Sequence, residues 1–281
     1  MKEFVKSGNL MRGIRKAVIP VAGHGTRFLP LTKVVPKQLF PLGKKPVIQY
    51  VVEEAVASGI EEIIFVCHPD KKQTVDYFRT DPGLKRFLAK AKKKREIKTL
   101  CGIESMATYR TAYQDRPLGL GHAVWCARQA VAGEPFLVLL PDVIICHPKP
   151  ASRQLIRQCR DQWGLLVTRV PPSRIEAYGV IEGQKLSDRN YRLKGAVEKP
   201  KPHEAPSNLG IVGRYLFPPS IFDHLENAKK GALGEFQLTD AIDALIKSEP
   251  GRAILCQGKI FDVGTLEGFA QAWAGFIRGS L

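Results

Sequence analysis

The chain has 281 residues, of which 44% are hydrophobic and 25% charged; this is the composition of an ordinary globular protein and excludes intrinsic disorder and collagen-like sequence. Its longest apolar stretches fall far short of the ~18 to 20 residues of a membrane-spanning helix, so we expect no membrane partner. An excess of 43 basic over 27 acidic residues gives a net charge of +16, which is compatible with a nucleic-acid partner, with an anionic substrate or with a role in solubility alone.

Buried strands and amphipathic helices alternate from near the N-terminus. Residues 16–23 form a predicted apolar strand that runs into a glycine-rich loop. Pro46 and Gly59 mark the beginning and the end of the next helix. Further strands are predicted at residues 63–67, 136–140 and 165–170, and further helices at residues 119–131 and 152–162. This order predicts an α/β fold with a doubly wound, mostly parallel, Rossmann-like mixed sheet flanked by helices.

From Tyr178 the pattern changes to short alternating strands, which indicate an antiparallel or mixed extension of the same sheet. The remaining elements are predicted strands within residues 195–200 and 209–217, a strand that ends at Asp262, and helices at residues 237–247 and 265–278. No stretch is long enough to be an interdomain linker. We therefore expect a single domain over residues 16–281, preceded by a loose N-terminal extension at residues 1–15.

Residues 85–98 hold eight basic residues and one acid, Glu96. Apolar residues fall on one face of this segment, which predicts an amphipathic helix with a solvated basic side. A phosphate-rich partner is the alternative interpretation. Because no aromatic stacking platform or zinc-finger spacing accompanies the basic run, we expect no nucleic-acid partner.

The six cysteines are scattered, with no Cys-x-x-Cys pair. This usage indicates buried thiols in a reducing compartment rather than disulfides or a zinc site. The N-terminus lacks the sustained apolar core of a secretory signal. We therefore expect a cytoplasmic protein.

The most informative segment follows the first strand and reads Gly23-His-Gly-Thr-Arg27-Phe-Leu-Pro30, with Lys37 shortly after it. Backbone N–H groups in such a turn can bind phosphate oxygens, and Arg27 and Lys37 would add cationic donors. The segment is neither a dinucleotide fingerprint nor a P-loop, because Phe28 stands where the last glycine is required and Gly-Lys-Ser/Thr is missing. The combination of glycines and cations nevertheless favours phosphate binding.

With this segment, the sequence resembles the sugar-nucleotidyltransferase family, and within it the bacterial UTP–glucose-1-phosphate uridylyltransferases. The family signature, Gly-x-Gly-Thr-Arg followed by a hydrophobic residue, x-Pro and then Pro-Lys, is intact from Gly23 to Lys37. The resemblance extends over about residues 16–278. Its further blocks occur in family order at residues 45–52, 119–124, 140–143, 177–180, 197–200, 211–215 and 234–240.

The resemblance implies a glycosyltransferase-A-like nucleotidyltransferase fold and a defined reaction. A sugar 1-phosphate oxygen attacks the α-phosphorus of a nucleoside triphosphate in line, without a covalent enzyme intermediate, and pyrophosphate leaves. The implied substrates are UTP and α-D-glucose 1-phosphate, and the product is UDP-glucose. A glucose-1-phosphate thymidylyltransferase that uses dTTP is one alternative, because Gln38 follows Lys37 as in that branch of the fold. A catalytically silent nucleotide-sugar-binding paralogue is another. The family further suggests a homo-oligomer, either a dimer or a tetramer.

The resemblance also implies roles for particular residues. Arg27 and Lys37 are the expected catalytic cations, since they would neutralise charge on the α-phosphate and the departing pyrophosphate. The expected sugar-phosphate ligands are Gly179, Glu198 and Lys199. The expected nucleotide-binding residues are Ala22, Gly23, Gly25, Thr26, Gln114 and Gly119.

Two aspartates, Asp142 and Asp262, each follow an apolar strand. Both would reach the crevice at the carboxyl ends of the strands, where open α/β sheets bind ligands. Mg²⁺ prefers oxygen ligands and is commonly held by one or two carboxylates together with substrate phosphates. The pair is therefore the predicted magnesium site. His24 and His122 are expected to be structural, because an ionised phosphate nucleophile needs no general base.

Overall fold

The computed structural model describes residues 13–229, 231 and 234–279. Within these residues the strands are Lys16–Pro20 (β1), Pro41–Leu42 (β2), Lys45–Pro46 (β3), Glu62–Cys67 (β4), Thr108–Tyr113 (β5), Phe136–Leu139 (β6), Val143–Cys146 (β7), Trp163–Arg169 (β8), Gly179–Lys185 (β9), Asn190–Glu198 (β10), Leu209–Phe217 (β11), Gly251–Leu255 (β12) and Lys259–Asp262 (β13). The helices are Val47–Ala57 (α1), Gln73–Asp76 (α2), Pro82–Lys90 (α3), Lys94–Glu104 (α4), Leu120–Cys126 (α5), Arg128–Val131 (α6), Ala151–Gln158 (α7), Ile221–Glu226 (α8), Leu238–Ser248 (α9) and Leu266–Ile277 (α10).

Nine of these strands form one mixed sheet, in the order β5-β4-β1-β6-β11-β8-β12-β10-β9. Strands β5, β4, β1 and β6 are parallel to one another, and β11 enters antiparallel between β6 and β8. The pairings of β12 with β8, β10 with β12 and β10 with β9 leave only β10 and β11 reversed among the nine described strands. The predicted α/β, mostly parallel sheet is confirmed, as is its antiparallel extension beyond Tyr178.

The central strands are buried along their whole length because helices cover the sheet. Every residue of β6 and β11 is buried. Helices α1 and α7 contact each other, while α5 contacts α8 and α9. Ala, Val, Ile, Leu and Phe side chains of the strands fill the space under these helices. The buried faces keep the strands fixed, so that the loops at their carboxyl ends have a rigid base.

Two predicted helices differ from those observed. The single basic helix expected over residues 85–98 is wrong: the segment is a hairpin of α3 and α4, which are joined through Lys92 in the left-handed conformation, at φ 57°. Neither helix has a buried residue, and Lys85 pairs with Glu104 across the hairpin. The helix expected over residues 119–131 is divided into α5 and α6, which meet at Ala127.

The predicted N-terminal extension lies mostly outside the described residues. Of its last three residues, Ile14 packs into the core, and the carbonyl of Arg15 accepts the backbone N–H of Glu61 at 2.9 Å. None of the helices in the described part of the chain has the length and apolar character needed to cross a membrane.

Candidate active site

The glycine-rich loop follows β1, and its later residues fold back on its earlier ones, so that Thr32 contacts Gly25. Gly25 has φ 66°, and a Cβ on it would lie 3.0 Å from the Thr32 side chain, so this position requires glycine. The Thr32 hydroxyl donates to the Gly25 carbonyl at 2.9 Å. Phe28 is buried in an edge-to-face contact with Phe40, with ring centroids 5.1 Å apart. These anchors leave Arg27 exposed at the top of the sheet.

One cavity, of about 410 Å³, lies beside this loop and is called the nucleotide cavity here. Five of the residues predicted for the nucleotide and for catalysis line it: Gly23, Gly25, Thr26, Lys37 and Gly119. Gly119, at φ 96°, allows a close approach, because a Cβ there would lie 2.8 Å from the Phe236 carbonyl oxygen. The loop before α5 therefore packs directly on the segment before α9.

The other two predicted nucleotide residues lie deeper. Ala22 and Gln114 are buried, and neither is among the described residues that line the nucleotide cavity. The Gln114 amide nitrogen donates to the Gly119 carbonyl at 3.1 Å and lies 3.0 Å from Nδ1 of His122. Gln114 thus fixes the loop that carries Gly119.

A second cavity, of about 290 Å³, adjoins the first and is called the sugar cavity here. It is lined by the remaining predicted residues, namely Arg27, Asp142, Gly179, Glu198, Lys199 and Asp262. Four residues line both cavities: Leu120, Leu140, Asp142 and Glu235. The two spaces therefore meet beside the Asp142 carboxylate.

Glu198 and Lys199 follow one another yet line the same cavity. An extended backbone would point them to opposite faces. Lys199 instead has φ 46°, an uncommon conformation for a residue with a side chain, and its Nζ lies 3.4 Å from Oε1 of Glu198. The other carboxylate oxygen, Oε2, accepts the Thr239 hydroxyl at 2.5 Å. The Glu198 carboxylate is thereby fixed between a cation and a hydroxyl donor.

Asp142 and Asp262 are brought together by the short ladder of β7 and β13. Asp262 pairs with Val143 in this ladder, and the Val263 N–H donates to the Asp142 carbonyl at 2.8 Å. A Cβ placed on Gly264 would lie 2.8 Å from Oδ2 of Asp142 and 3.1 Å from Oδ1 of Asp262, so both carboxylates face the space that this glycine leaves free.

The electrostatics of the pair favour a cation. Burial, and then the negative charge of Asp142, raise the pKa of Asp262, while the Gly264 N–H and the charges of Arg27 and Lys37 oppose this rise. Lys37 Nζ lies 2.5 Å from Oδ2 of Asp142. The described residues hold no cluster of three or more His, Cys, Asp or Glu side chains that could bind a metal ion. Two carboxylates that repel each other in a partly buried space fit Mg²⁺, which takes its other ligands from phosphates and water.

The predicted cations and carboxylates therefore share one place in the fold. The family model for nucleotidyl transferases matches residues 16–277 of the chain. The chain belongs to the nucleotidyl transferase family.

Individual relatives of this nucleotidyl transferase agree in name. A UTP–glucose-1-phosphate uridylyltransferase of Bacillus subtilis (strain 168) is 44% identical over 261 residues, which cover 92% of this chain and 89% of the relative. A structure of UDP-glucose pyrophosphorylase complexed with UDP-glucose is 34% identical, has a TM-score of 0.87, and covers 95% of this chain and 99% of its own. A structure of a UTP-bound UGPase from Acinetobacter baumannii is 37% identical and has a TM-score of 0.86. The match covers 94% of this chain and 93% of the UGPase chain. The predicted family and fold are confirmed.

The two histidines have different surroundings in this nucleotidyl transferase. His122 stacks on Trp125 and Phe236, with ring centroids 5.9 and 6.2 Å away, and burial lowers its pKa. A neutral, stacked imidazole that contacts Gln114 agrees with a structural role. His24 is exposed and lines the nucleotide cavity.

Sequence reasoning missed three residues of the site. Glu235 lines both cavities, although no site role was predicted for it. Thr239 holds Glu198, and the buried Tyr215 lines the sugar cavity. The signal was present in the sequence, since Glu235 and Thr239 belong to the block at residues 234–240 and Tyr215 ends the block at residues 211–215.

Proposed function

We propose that this nucleotidyl transferase converts UTP and α-D-glucose 1-phosphate into UDP-glucose and pyrophosphate. One structural observation carries the proposal: the nucleotide cavity and the sugar cavity meet at Asp142. The first lies beside a loop of the phosphate-binding type, and the second contains a cation and a carboxylate, Lys199 and Glu198. The names of the relatives support the choice of UTP and glucose 1-phosphate. The reaction needs two anions in contact, and the junction of the two cavities is where such contact is possible.

Each cavity binds one substrate in this proposal. The loop from Gly23 to Thr26 and the glycine at Gly119 hold the nucleotide, with Gln114 and Ala22 shaping the wall behind the base. Glu198 accepts hydrogen bonds from sugar hydroxyls, and Lys199 binds the sugar phosphate. Gly179 lets the sugar lie close, because a Cβ there would approach Glu198 and Thr239 at 3.1 and 3.0 Å.

The chain's main catalytic task is to neutralise charge. The sugar phosphate is already ionised, so that no side chain has to remove a proton. Arg27 and Lys37 bind the oxygens of the α-phosphate and of the departing pyrophosphate, where negative charge builds in the transition state. Holding the attacking oxygen in line with the leaving group supplies the rest, since orientation alone can contribute several kcal/mol to a bimolecular transfer.

Asp142 and Asp262 would hold Mg²⁺. When bound there, the ion would supply positive charge to the phosphate oxygens of the two substrates. The same charge would reduce the repulsion between the two aspartates. This repulsion contributes to the raised pKa of Asp262.

The alternative donor is dTTP, because thymine and uracil present the same hydrogen-bonding edge. Gln38, the residue that suggested this alternative, is 2% exposed and lines the nucleotide cavity, and its side-chain oxygen is buried without a hydrogen-bond partner among the described residues. The names of relatives at 40–44% identity favour UTP.

We propose a cytoplasmic homo-oligomer, either a dimer or a tetramer, with small-molecule partners only.

The deciding experiment is a panel of nucleoside triphosphates against sugar 1-phosphates, with Mg²⁺ and with pyrophosphate release as the signal. We expect the highest kcat/KM for UTP with glucose 1-phosphate. A higher value for dTTP would make the protein a thymidylyltransferase. Binding of UDP-glucose without any turnover would indicate the silent paralogue. Tight nucleic-acid binding in a gel shift at moderate salt, again without turnover, would contradict the proposal altogether.

A further inference from the structure

Arg214 lies on β11 and carries a buried positive charge. It lines neither the nucleotide cavity nor the sugar cavity and is not one of the expected substrate ligands. Its side chain is 1% exposed. A guanidinium has five N–H donors, and all five have acceptors here. Nε and Nη2 donate to the two carboxylate oxygens of Glu54, at 2.9 and 2.8 Å. The remaining three donate to backbone carbonyls: Nη1 to Leu140 and Gly213, at 3.2 and 3.1 Å, and Nη2 to Val143, at 2.8 Å.

Two of these carbonyls bracket a single turn. Leu140 and Val143 are the residues on either side of Pro141 and Asp142, and the Val143 N–H lies 3.5 Å from the Leu140 carbonyl oxygen. Arg214 therefore donates hydrogen bonds to both ends of the turn that carries the Asp142 carboxylate. The fork of the guanidinium fixes the two carbonyls relative to each other, which a single hydrogen bond would not do.

The Arg214 side chain is in turn held in place by the Glu54 carboxylate. Burial alone would raise the pKa of Glu54, but the charge and hydrogen bonds of Arg214, and the hydrogen bonds of Ser152, hold that pKa below its ordinary value. The Ser152 N–H and hydroxyl donate to Oε1 of Glu54 at 2.9 and 2.6 Å. Helices α1 and α7 thus orient Arg214 from below, and Arg214 orients the turn above it.

We infer that Arg214 is a positioning residue for Asp142, and that the buried Glu54–Arg214 pair serves the divalent-cation site rather than only the stability of the fold. This inference rests on the proposed function, in which Asp142 and Asp262 hold the cation. A buried ion pair is weak evidence for a gain in stability, because desolvation of the two charges opposes their attraction. Groups that orient metal ligands through hydrogen bonds commonly change metal affinity by roughly 10- to 100-fold when they are replaced.

The test uses Arg214→Lys, which keeps the charge beside Glu54 but replaces the planar fork with one ammonium group. Mn²⁺ alone, without nucleotide, is titrated into the full chain and followed by water-proton relaxation. We expect the Kd for Mn²⁺ to rise by roughly 10- to 100-fold. The Mg²⁺ concentration that gives half-maximal turnover should rise in parallel, while the KM for glucose 1-phosphate stays near that of the wild type.

Ser152→Ala is the matched control. It removes the hydrogen bond from the Ser152 hydroxyl to Glu54, while the backbone N–H of residue 152 still donates to Oε1 of Glu54. All three bonds from Arg214 to carbonyls stay in place, so we expect lower stability with unchanged Mn²⁺ affinity. Asp142→Asn sets the baseline. If the wild type and Asp142→Asn bind Mn²⁺ equally, the proposed cation site is wrong. If they differ but Arg214→Lys binds like the wild type, the positioning role alone is wrong.

A second variant separates positioning from folding in case Arg214→Lys does not fold. The double variant Glu54→Leu with Arg214→Met leaves no unpaired buried charge, and replacements of this kind are often neutral for stability. We expect a cooperative thermal unfolding transition together with the same loss of Mn²⁺ affinity. Wild-type affinity in the folded double variant would overturn the inference.

Discussion

Gly179 offers a sharp test of the sugar cavity, because a single methyl group there alters one wall. A Cβ on Gly179 would lie 3.0 Å from the Thr239 hydroxyl oxygen, 3.1 Å from Oε2 of Glu198 and 3.3 Å from Cδ1 of Ile211. These distances are shorter than ordinary van der Waals contact, so in Gly179→Ala the neighbours have to move by a few tenths of an ångström. One of these neighbours is the Glu198 carboxylate, which accepts the Thr239 hydroxyl at 2.5 Å, so a methyl group on Gly179 would press on both groups of this hydrogen bond.

The magnitude follows from what that movement disturbs. Overpacking costs about 1–3 kcal/mol, and loss of one hydrogen bond to a charged group costs about 1.5–3 kcal/mol. At about 1.4 kcal/mol per factor of ten, displacement of Glu198 should raise the KM for glucose 1-phosphate by roughly 10- to 150-fold. The KM for UTP should change little, since the nucleotide cavity is not lined by Gly179.

The assay is steady-state pyrophosphate release with each substrate varied in turn. Gly195→Ala is the control: Gly195 lies on the neighbouring strand, and a Cβ there would meet Asp243 and Glu182 only at an ordinary 3.5 Å. The control should keep wild-type kinetics. If Gly179→Ala also keeps the wild-type KM for glucose 1-phosphate, then the sugar does not bind against Glu198 and the assignment of the cavity is refuted.

Three further predictions address charge. Lys199→Ala should raise the KM for glucose 1-phosphate by roughly 10- to 100-fold while leaving the KM for UTP nearly unchanged, and a parallel rise in both would contradict its assignment to the sugar phosphate. Asp142→Asn should lower Mg²⁺-dependent kcat by at least about 100-fold without loss of the folded state by circular dichroism, whereas full activity would refute the metal assignment. Glu54→Gln should destabilise the protein by about 3–5 kcal/mol near neutral pH in urea unfolding. Because the pKa of Glu54 is lowered on folding, its contribution is fully present above the ordinary value of 4.5 and is lost as the pH falls through the native pKa. The difference between wild type and variant should therefore shrink in acid, and a constant difference would exclude this linkage.

The strands and the residues at their ends could be read from the sequence because both depend on local patterns. Continuous apolar runs such as residues 136–140 identify strands that are buried on both faces, and side chains that follow them reach a common edge of the sheet. Asp142 follows such a run and lies at this edge, and its role as a metal ligand stays a prediction. Glycine at position 25 was also informative, since the observed φ of 66° suits glycine best.

Other features depend on contacts between distant segments. The ladder of β7 and β13 joins Val143 to Asp262, and four-residue strands carry too little periodicity to reveal such a pairing. The left-handed conformation of Lys199 could not be expected either, because residues with side chains rarely adopt it. The break at Lys92 has the same cause, and it turned one predicted basic helix into two.

The central claim is that two phosphate compounds meet where the two cavities join. The most direct measurement is a crystal structure of the protein with UDP-glucose and Mg²⁺. We predict uridine in the cavity lined by Gly23 and Gly119, glucose beside Glu198 and Lys199, and the diphosphate at Asp142 between them. A ligand bound within only one cavity, or a diphosphate remote from Asp142, would contradict the account.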